Sequence, residues 1–439
     1  MGPHPAGGHA QSAGLDLSHF LIADGHHSHN RPAHRLRASR IQRRCLLVSL
    51  GPLAPDALAA VLANLEQAFP QQTIIVATPG ALPVETTSGT QFQLVSYDPP
   101  SPGPPSWLLS PADFVNCWKL VDEHHAPACL LLGPEAQSLR PQTLRALAEA
   151  VLAQHADLAT PRYDLSPRDG LVNSAILYPV TRALFAARSR YPLAVDLAFS
   201  ARLVERLATL AQRHTSSGSN SALLWPVAEA AVASFSITEV PAGPRALPPP
   251  GTTDLNTVLA QVAGSLFAEV DARAAFWQRA RLAAAPRNGP PSSPAAPQSA
   301  GANESVEPPD VTPMLDSFRL AYANLHEIWS LVLPPNSLLG LKKLSLMSPQ
   351  AFRMPDPLWA RIVYDFTLAY RLRTLNRGHL LGALTPLYLA WVASHLLQTT
   401  PGAPDYTPPE KHIEAVAAAF EADKPYLVSR WRWPDRFNP

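Results

Sequence analysis

Between Cys45 and Val240, short runs that are apolar throughout alternate with longer stretches whose apolar residues recur every three or four positions. A short run with no polar interruption suits a strand buried on both faces, and Cys45–Leu50 is the first of these. Pro55 then opens a helix with Leu58, Val61, Leu62 and Leu65 on one face. Thr73–Ala77 reads as the next strand, closed by a Pro79-Gly80 turn, and Phe92–Ser96 as a third, ending at Tyr97-Asp98-Pro99-Pro100. A helix from about Pro111 to His125 precedes the strand Ala128–Leu132. After Pro141, the residues Leu144, Leu147, Ala148, Val151 and Leu152 form one helical stripe, and Asp157–Thr160 resumes strand. This alternation specifies an α/β fold, a Rossmann-type, mostly parallel sheet flanked by helices. Ligands of such sheets sit beyond the carboxyl ends of the strands. The loops after Leu50, Ala77, Ser96, Leu132 and Thr160 are therefore the places where chemistry is expected.

Further along, Leu171–Ala187 has helical spacing, and Pro179 should kink or divide it. Leu197–Arg213 and Trp225–Ala233 read as helices, Phe235–Val240 as an edge strand, and Thr252–Ala285 as a long helix. Met314–Leu333, Pro355–Leu375, His379–Leu397 and Glu410–Phe420 are all helical in spacing, with Trp329, Trp359, Tyr364, Tyr388 and Trp391 placed as core aromatics. Residues 1–40 lack any hydrophobic period and read as a disordered tail. Its His26, His27, His29 and His34 could hold a metal loosely, but a polar tail is the simpler reading. Residues 286–312 are rich in Pro, Ser and Ala and read as a linker. The expected order is thus a tail over 1–40, an α/β domain over 41–285, a linker over 286–312 and an all-helical C-terminal domain over 313–439.

Lys and Arg number 35 against 34 Asp and Glu, so no basic excess calls for nucleic acid. The three cysteines, Cys45, Cys117 and Cys129, form no CxxC pair. An odd number of apolar-set thiols, with no apolar signal core at the N-terminus, leads to the expectation of a reducing cytoplasm. His379–Leu397 contains no acid, Lys or Arg, but it carries Gly382, Pro386 and two His and barely reaches the ~20 residues a membrane span needs. It is expected to be a buried helix rather than a transmembrane segment.

Three segments carry the candidate chemistry. They are Leu130-Leu131-Leu132-Gly133-Pro134-Glu135 leading to Pro141, Thr160-Pro161-Arg162-Tyr163 leading through Arg168 to Gly170, and Arg190-Tyr191-Pro192-Leu193-Ala194-Val195-Asp196. In this order they resemble the catalytic half of retaining GT-A glycosyltransferases, the glucosyl-3-phosphoglycerate and mannosylglycerate synthases in particular. The resemblance implies a GT-A-like domain that moves a hexose from a nucleotide-diphosphate sugar to a small anionic acceptor. It also implies two acids after the fourth strand holding Mg²⁺ or Mn²⁺ against the donor diphosphate. Here Gly133 stands at the first acid position, so only Glu135 is left for a weak, single-carboxylate metal site.

By the same resemblance, Arg162, Tyr163 and Arg168 face the acceptor, where a guanidinium can grip an oxyanion with two bonds. Asp196 takes the place of the acid between acceptor and sugar, with Ala194-Val195 where a smaller pair normally stands; as an alternative it caps a helix. Asp98 and Lys119 fall where base and phosphates are read. Arg245 follows the last strand, where these synthases often supply a metal-binding His, and would offset the charge of a diphosphate. Two readings of the α/β domain stay open, beside that of a partner-binding helical module suggested by the Pro-rich linker and the C-terminal aromatics. One is a cytoplasmic glycosyltransferase with a depleted metal motif, catalytic through Asp196 and Glu135; the other is a non-catalytic nucleotide-sugar-binding or regulatory protein on a degenerate scaffold. A homo-oligomer is open in both.

Overall fold

The computed structural model describes residues 45–80, 92–98, 108–216, 223–246, 254–279, 309–403 and 405–433. The expected tail, with its histidines, and the expected linker up to residue 308 lie outside them. Seven strands form one sheet: β1 (Leu46–Leu50), β2 (Ile74–Pro79), β3 (Phe92–Tyr97), β4 (Ala128–Leu132), β5 (Leu158–Tyr163), β6 (Asp196–Ser200) and β7 (Ile237–Gly243). Their order is β3-β2-β1-β4-β6-β5-β7. β6 runs antiparallel to both its neighbours, and the other pairings are parallel.

The helices within this region are α1 (Pro55–Ala68), α2 (Pro111–His124), α3 (Pro141–Leu152), α4 (Tyr178–Phe185), α5 (Ala201–Ser216), α6 (Pro226–Val232), α7 (Leu255–Ala272) and α8 (Ala274–Trp277). Strand alternation divides them between the two faces. Leu46, Val48 and Leu50 of β1 pack with α1 and α3, whereas Leu47 packs with α2 and α5. At the start of α2, the Asp113 carboxylate accepts from Ser110 N (2.7 Å) and Ser110 Oγ (2.8 Å), a reciprocal cap that fixes where the helix begins.

Two expectations need correction. The stretch expected as a helix from Leu197 is strand as far as Ser200, and α5 begins at Ala201. Leu197, Ala198 and Phe199 are buried on both faces of the sheet, so they show no period that separates strand from helix. Likewise Thr160–Tyr163 is not a loop but the second half of β5, which carries Arg162 and Tyr163 on a strand. The Pro179 expectation resolves more finely. A π-type turn over Asn173–Leu177 precedes α4, and Pro179 falls in the first turn of that helix, where its missing N–H is least felt.

The C-terminal region is all helical among its described residues: α9 (Thr312–Asn324), α10 (His326–Ser330), α11 (Pro335–Ser345), α12 (Asp356–Leu372), α13 (Arg377–Thr399) and α14 (Pro409–Arg432), with one short 3₁₀ turn. The mostly parallel sheet flanked by helices and followed by this region is the architecture the sequence led us to expect. One hydrophobic core joins α4 and α7 to α9, α12, α13 and α14. The expected aromatics lie in it. Trp359 donates its indole N–H to Ala175 O (2.8 Å) and Trp329 to Ala383 O (2.9 Å), so each ring is both packed and satisfied. Among the described residues only α13 is long and apolar enough to cross a membrane. Its most apolar window is 83% buried against protein, which makes it the central helix of this core.

The cysteines differ from their sequence reading. Cys117 on α2 and Cys129 on β4 are both fully buried, and their Sγ atoms lie 2.8 Å apart. They are twelve residues apart in the chain, and no spacing motif marks them as a pair.

Candidate functional site

The carboxyl end of β4, the start of β6 and the segment after β7 converge on one corner. Antiparallel pairing sets Leu132 opposite Asp196, so the chain leaving β4 at Gly133 passes directly over the Asp196 carboxylate. Its Oδ1 accepts from Gly133 N (3.2 Å) and Arg245 Nη2 (3.1 Å), and its Oδ2 accepts from Tyr163 OH (2.8 Å) and Arg245 Nε (2.8 Å). Arg245 Nη2 also donates to Pro134 O (2.6 Å), and Nη1 to Glu135 O, Ser138 Oγ (2.8 Å) and Ala246 O (2.7 Å). The Asp196 and Arg245 side chains are both 0% exposed. Every guanidinium nitrogen therefore ends on a protein acceptor, and neither charge faces solvent.

The electrostatics follow from this enclosure. Burial, followed by the Asp196 charge, pushes the Tyr163 phenol well above its ordinary range, so the hydroxyl stays a donor. Burial alone would lower Arg245, but the Asp196 charge and hydrogen bonds outweigh it and hold the guanidinium above its usual value. The Tyr163 ring packs on Tyr191 at 5.1 Å.

The residues at this corner do not fit a divalent cation. Glu135 is half-buried, with left-handed backbone (φ 60°), and its carboxylate accepts from Gln137 Nε2 at 2.6 Å. Its carbonyl oxygen and that of Pro134, which are hard ligands of the kind Mg²⁺ and Mn²⁺ prefer, are already bonded to a guanidinium. A second cation would meet that positive charge. Among the described residues no group of three or more His, Cys, Asp or Glu side chains is arranged to hold a metal.

The missing acid has a steric counterpart. A Cβ placed on Gly133 would lie 2.8 Å from both Val195 Cβ and Val195 O. The glycine at the acid position and the valine before Asp196 thus occupy one shared volume. Gly133→Asp is expected to destabilise the fold by about 1–3 kcal/mol through overpacking. Adding Val195→Gly should return part of that loss. Urea unfolding of the two variants checks this, and equal stability of Gly133→Asp and the parent would disprove the clash.

Arg162, expected at the acceptor, stands on β5 with its guanidinium 3.9 Å from Glu239 and 3.5 Å from Glu410 on α14. Arg190, quoted in the sequence but given no role, is buried beside it. It bonds Glu410 (3.2 and 3.3 Å) and Ser174 Oγ (3.0 Å), lies over the Tyr178 and Tyr191 rings, and donates its backbone N–H to Glu239 (2.6 Å). Arg182 binds Glu414 (2.5 Å) and Glu421 (3.0 Å). The three acids Glu410, Glu414 and Glu421 lie close to one face of α14, and that spacing was the available signal for this docking.

Arg168 is exposed in the loop after β5. Asp98 is exposed at the end of β3, beside Tyr97, whose hydroxyl donates to Leu50 O (2.6 Å) across the strand ends. Lys119 is exposed on α2. Neither Asp98 nor Lys119 forms an ion pair or side-chain hydrogen bond with the corner. Of the expected site residues, the structure brings together Asp196, Tyr163, Arg245 and the backbone of Glu135. It places Arg162 in a separate cluster with Arg190.

No protein-family model matches the sequence, and no curated protein matches it. Over about half its length the chain is similar in structure to a GT-A glycosyltransferase, the glucosyl-3-phosphoglycerate synthase from Mycobacterium tuberculosis. The synthase in complex with phosphoglyceric acid aligns at 15% identity and a TM-score of 0.32, covering 52% of this chain and 79% of that one. Its complex with Mn²⁺, UDP-glucose and phosphoglyceric acid aligns over the same shares at a TM-score of 0.33. A further mycobacterial protein aligns at 14% identity over 55% of this chain, with a TM-score of 0.32. A likeness this distant transfers no residue roles.

Proposed function

We propose that this chain is a non-catalytic nucleotide-sugar-binding or regulatory protein on a GT-A-like scaffold, working without a metal and located in the cytoplasm. One observation carries the reading: the Arg245 guanidinium fills the strand-end corner and is saturated by Asp196, Pro134, Glu135, Ser138 and Ala246. Metal-assisted glycosyl transfer needs a cation that neutralises the leaving diphosphate and a carboxylate free to meet the reacting groups. Here an internal guanidinium fills the corner with every nitrogen on a protein acceptor, so it is not free to neutralise a diphosphate, and the carboxylate is already spoken for and shut from solvent. A ligand of this scaffold would bind outside the corner, beyond the carboxyl ends of β1 to β3, where Asp98 is exposed.

Calorimetric titration of the whole chain with UDP- and GDP-sugars, with and without Mg²⁺ or Mn²⁺, tests this. We expect any binding to be indifferent to metal and no sugar to be transferred to phosphoglycerate or another small anionic acceptor. Metal-dependent binding followed by turnover would restore the glycosyltransferase reading and refute this one.

A further inference from the structure

We propose that Cys117 and Cys129 form a dithiol that closes to an intramolecular disulfide on exposure to a small-molecule disulfide. Cys117 projects from α2 onto the sheet, and Cys129 projects from β4 toward α2, both in the core that also holds Phe114, Leu120, Val121 and Leu131. Their Sγ atoms are 2.8 Å apart, with both residues 0% exposed. A disulfide bond measures about 2.05 Å, so closure needs sulfur movement of under about 1 Å. Two separate elements hold the thiols face to face, and chain entropy therefore does not oppose the bond in the folded state. Cys45 is bonded elsewhere, its Sγ donating to Thr73 O at 3.3 Å, so it does not compete for either partner.

The exchange is balanced with a disulfide R–S–S–R as oxidant. One protein thiol loses its proton and attacks a sulfur of R–S–S–R, expelling one thiolate and leaving a mixed disulfide. The second protein thiol, deprotonated in turn, attacks the protein sulfur of that mixed disulfide and expels the second R–S⁻. The two thiol protons end on two R–SH, the protein sulfurs are oxidised by two electrons, and the small disulfide is reduced by two. Because only the thiolate reacts and burial lifts Cys117 well above the usual thiol range, exchange waits on local opening of α2. The bond would fasten α2 to β4, the strand whose end carries Gly133 and Glu135.

The full chain equilibrated in a glutathione redox buffer, both natively and by refolding from urea, then acid-quenched and alkylated, gives the readout. A Glu-specific protease, cutting after Glu66 and Glu85, separates Cys45 from Cys117, and trypsin, cutting after Lys119, places Cys117 and Cys129 on separate peptides. We expect those peptides to be recovered joined, two hydrogens lighter than their sum, with Cys45 alkylated or glutathionylated. The oxidised chain should melt at a higher temperature and revert with dithiothreitol. Cys117→Ser and Cys129→Ser should each abolish both effects. Recovery of both cysteines as alkylated thiols after refolding in the oxidising buffer would overturn the proposal, as would linkage through Cys45.

Discussion

Arg245→Ala is expected to cost the folded chain about 3–5 kcal/mol, enough to unfold much of it near physiological temperature. The change strands the Asp196 carboxylate at 0% exposure and removes the donor that satisfies the carbonyls of Pro134 and Glu135. The Asp196 carboxylate has no exposed surface, so the loss is the desolvation of a buried charge and not merely one missing bond. Asp196→Leu with Arg245→Met should recover a large part of the loss, because an apolar pair leaves no buried charge uncompensated. Tyr163→Phe removes one donor to a carboxylate that keeps three others, and should cost only about 1–2 kcal/mol. Urea titration gives all three values. If Arg245→Ala lay within about 1 kcal/mol of the parent, the corner would be accessible to water and the case for a closed, non-catalytic site would fail.

Acidification should weaken the fold through His395. This residue is fully buried on α13, with its Nδ1 2.7 Å from His412 Nδ1 and its ring stacked on Trp391. Burial, then the neighbouring His412 and Arg190, holds its pKa down at about 3. His412 in turn has its Nε2 3.4 Å from Asp356. The imidazole charges in the unfolded chain at about pH 6.5, so its stabilising contribution is present above that value and is lost as pH falls toward 3. Asp365 works in the opposite sense. Burial lifts it to about 7 despite Arg430, so its contribution is present below the ordinary carboxylate range and is lost as pH rises toward 7.

The parent profile mixes these opposing slopes, and a difference profile separates them. Relative to His395→Asn, the parent should lose about 2 kcal/mol between pH 6 and pH 4.5. Chemical denaturation at several pH values measures it. A flat difference across that window would mean that His395 is solvated or already charged in the fold.

Much of this molecule was legible in the chain, for identifiable reasons. Leu46–Leu50 and Ala128–Leu132 had to be strands because only a sheet covered on both faces buries every side chain of so short a run. Where that logic was silent, the reading erred. Leu197, Ala198 and Phe199 are equally apolar on both faces but lie next to a true helix, and their strand pairing with β4 comes from partners more than sixty residues away. Tyr163 and Arg162 were read as neighbours in one loop. On a strand they point to opposite sides, one into the Asp196 corner and the other toward Glu410.

The sequence by itself determined the layers. Apolar period set strands against helices, and prolines marked helix starts. Only the tertiary structure decided what the corner is. Whether Arg245 faces a ligand or Asp196, whether Gly133 has room for a carboxylate, and whether two distant cysteines touch all depend on distances between elements far apart in the chain. Local propensity fixes only neighbours in sequence. A charge, a void or a thiol contact is set by which surfaces meet once the whole core has closed.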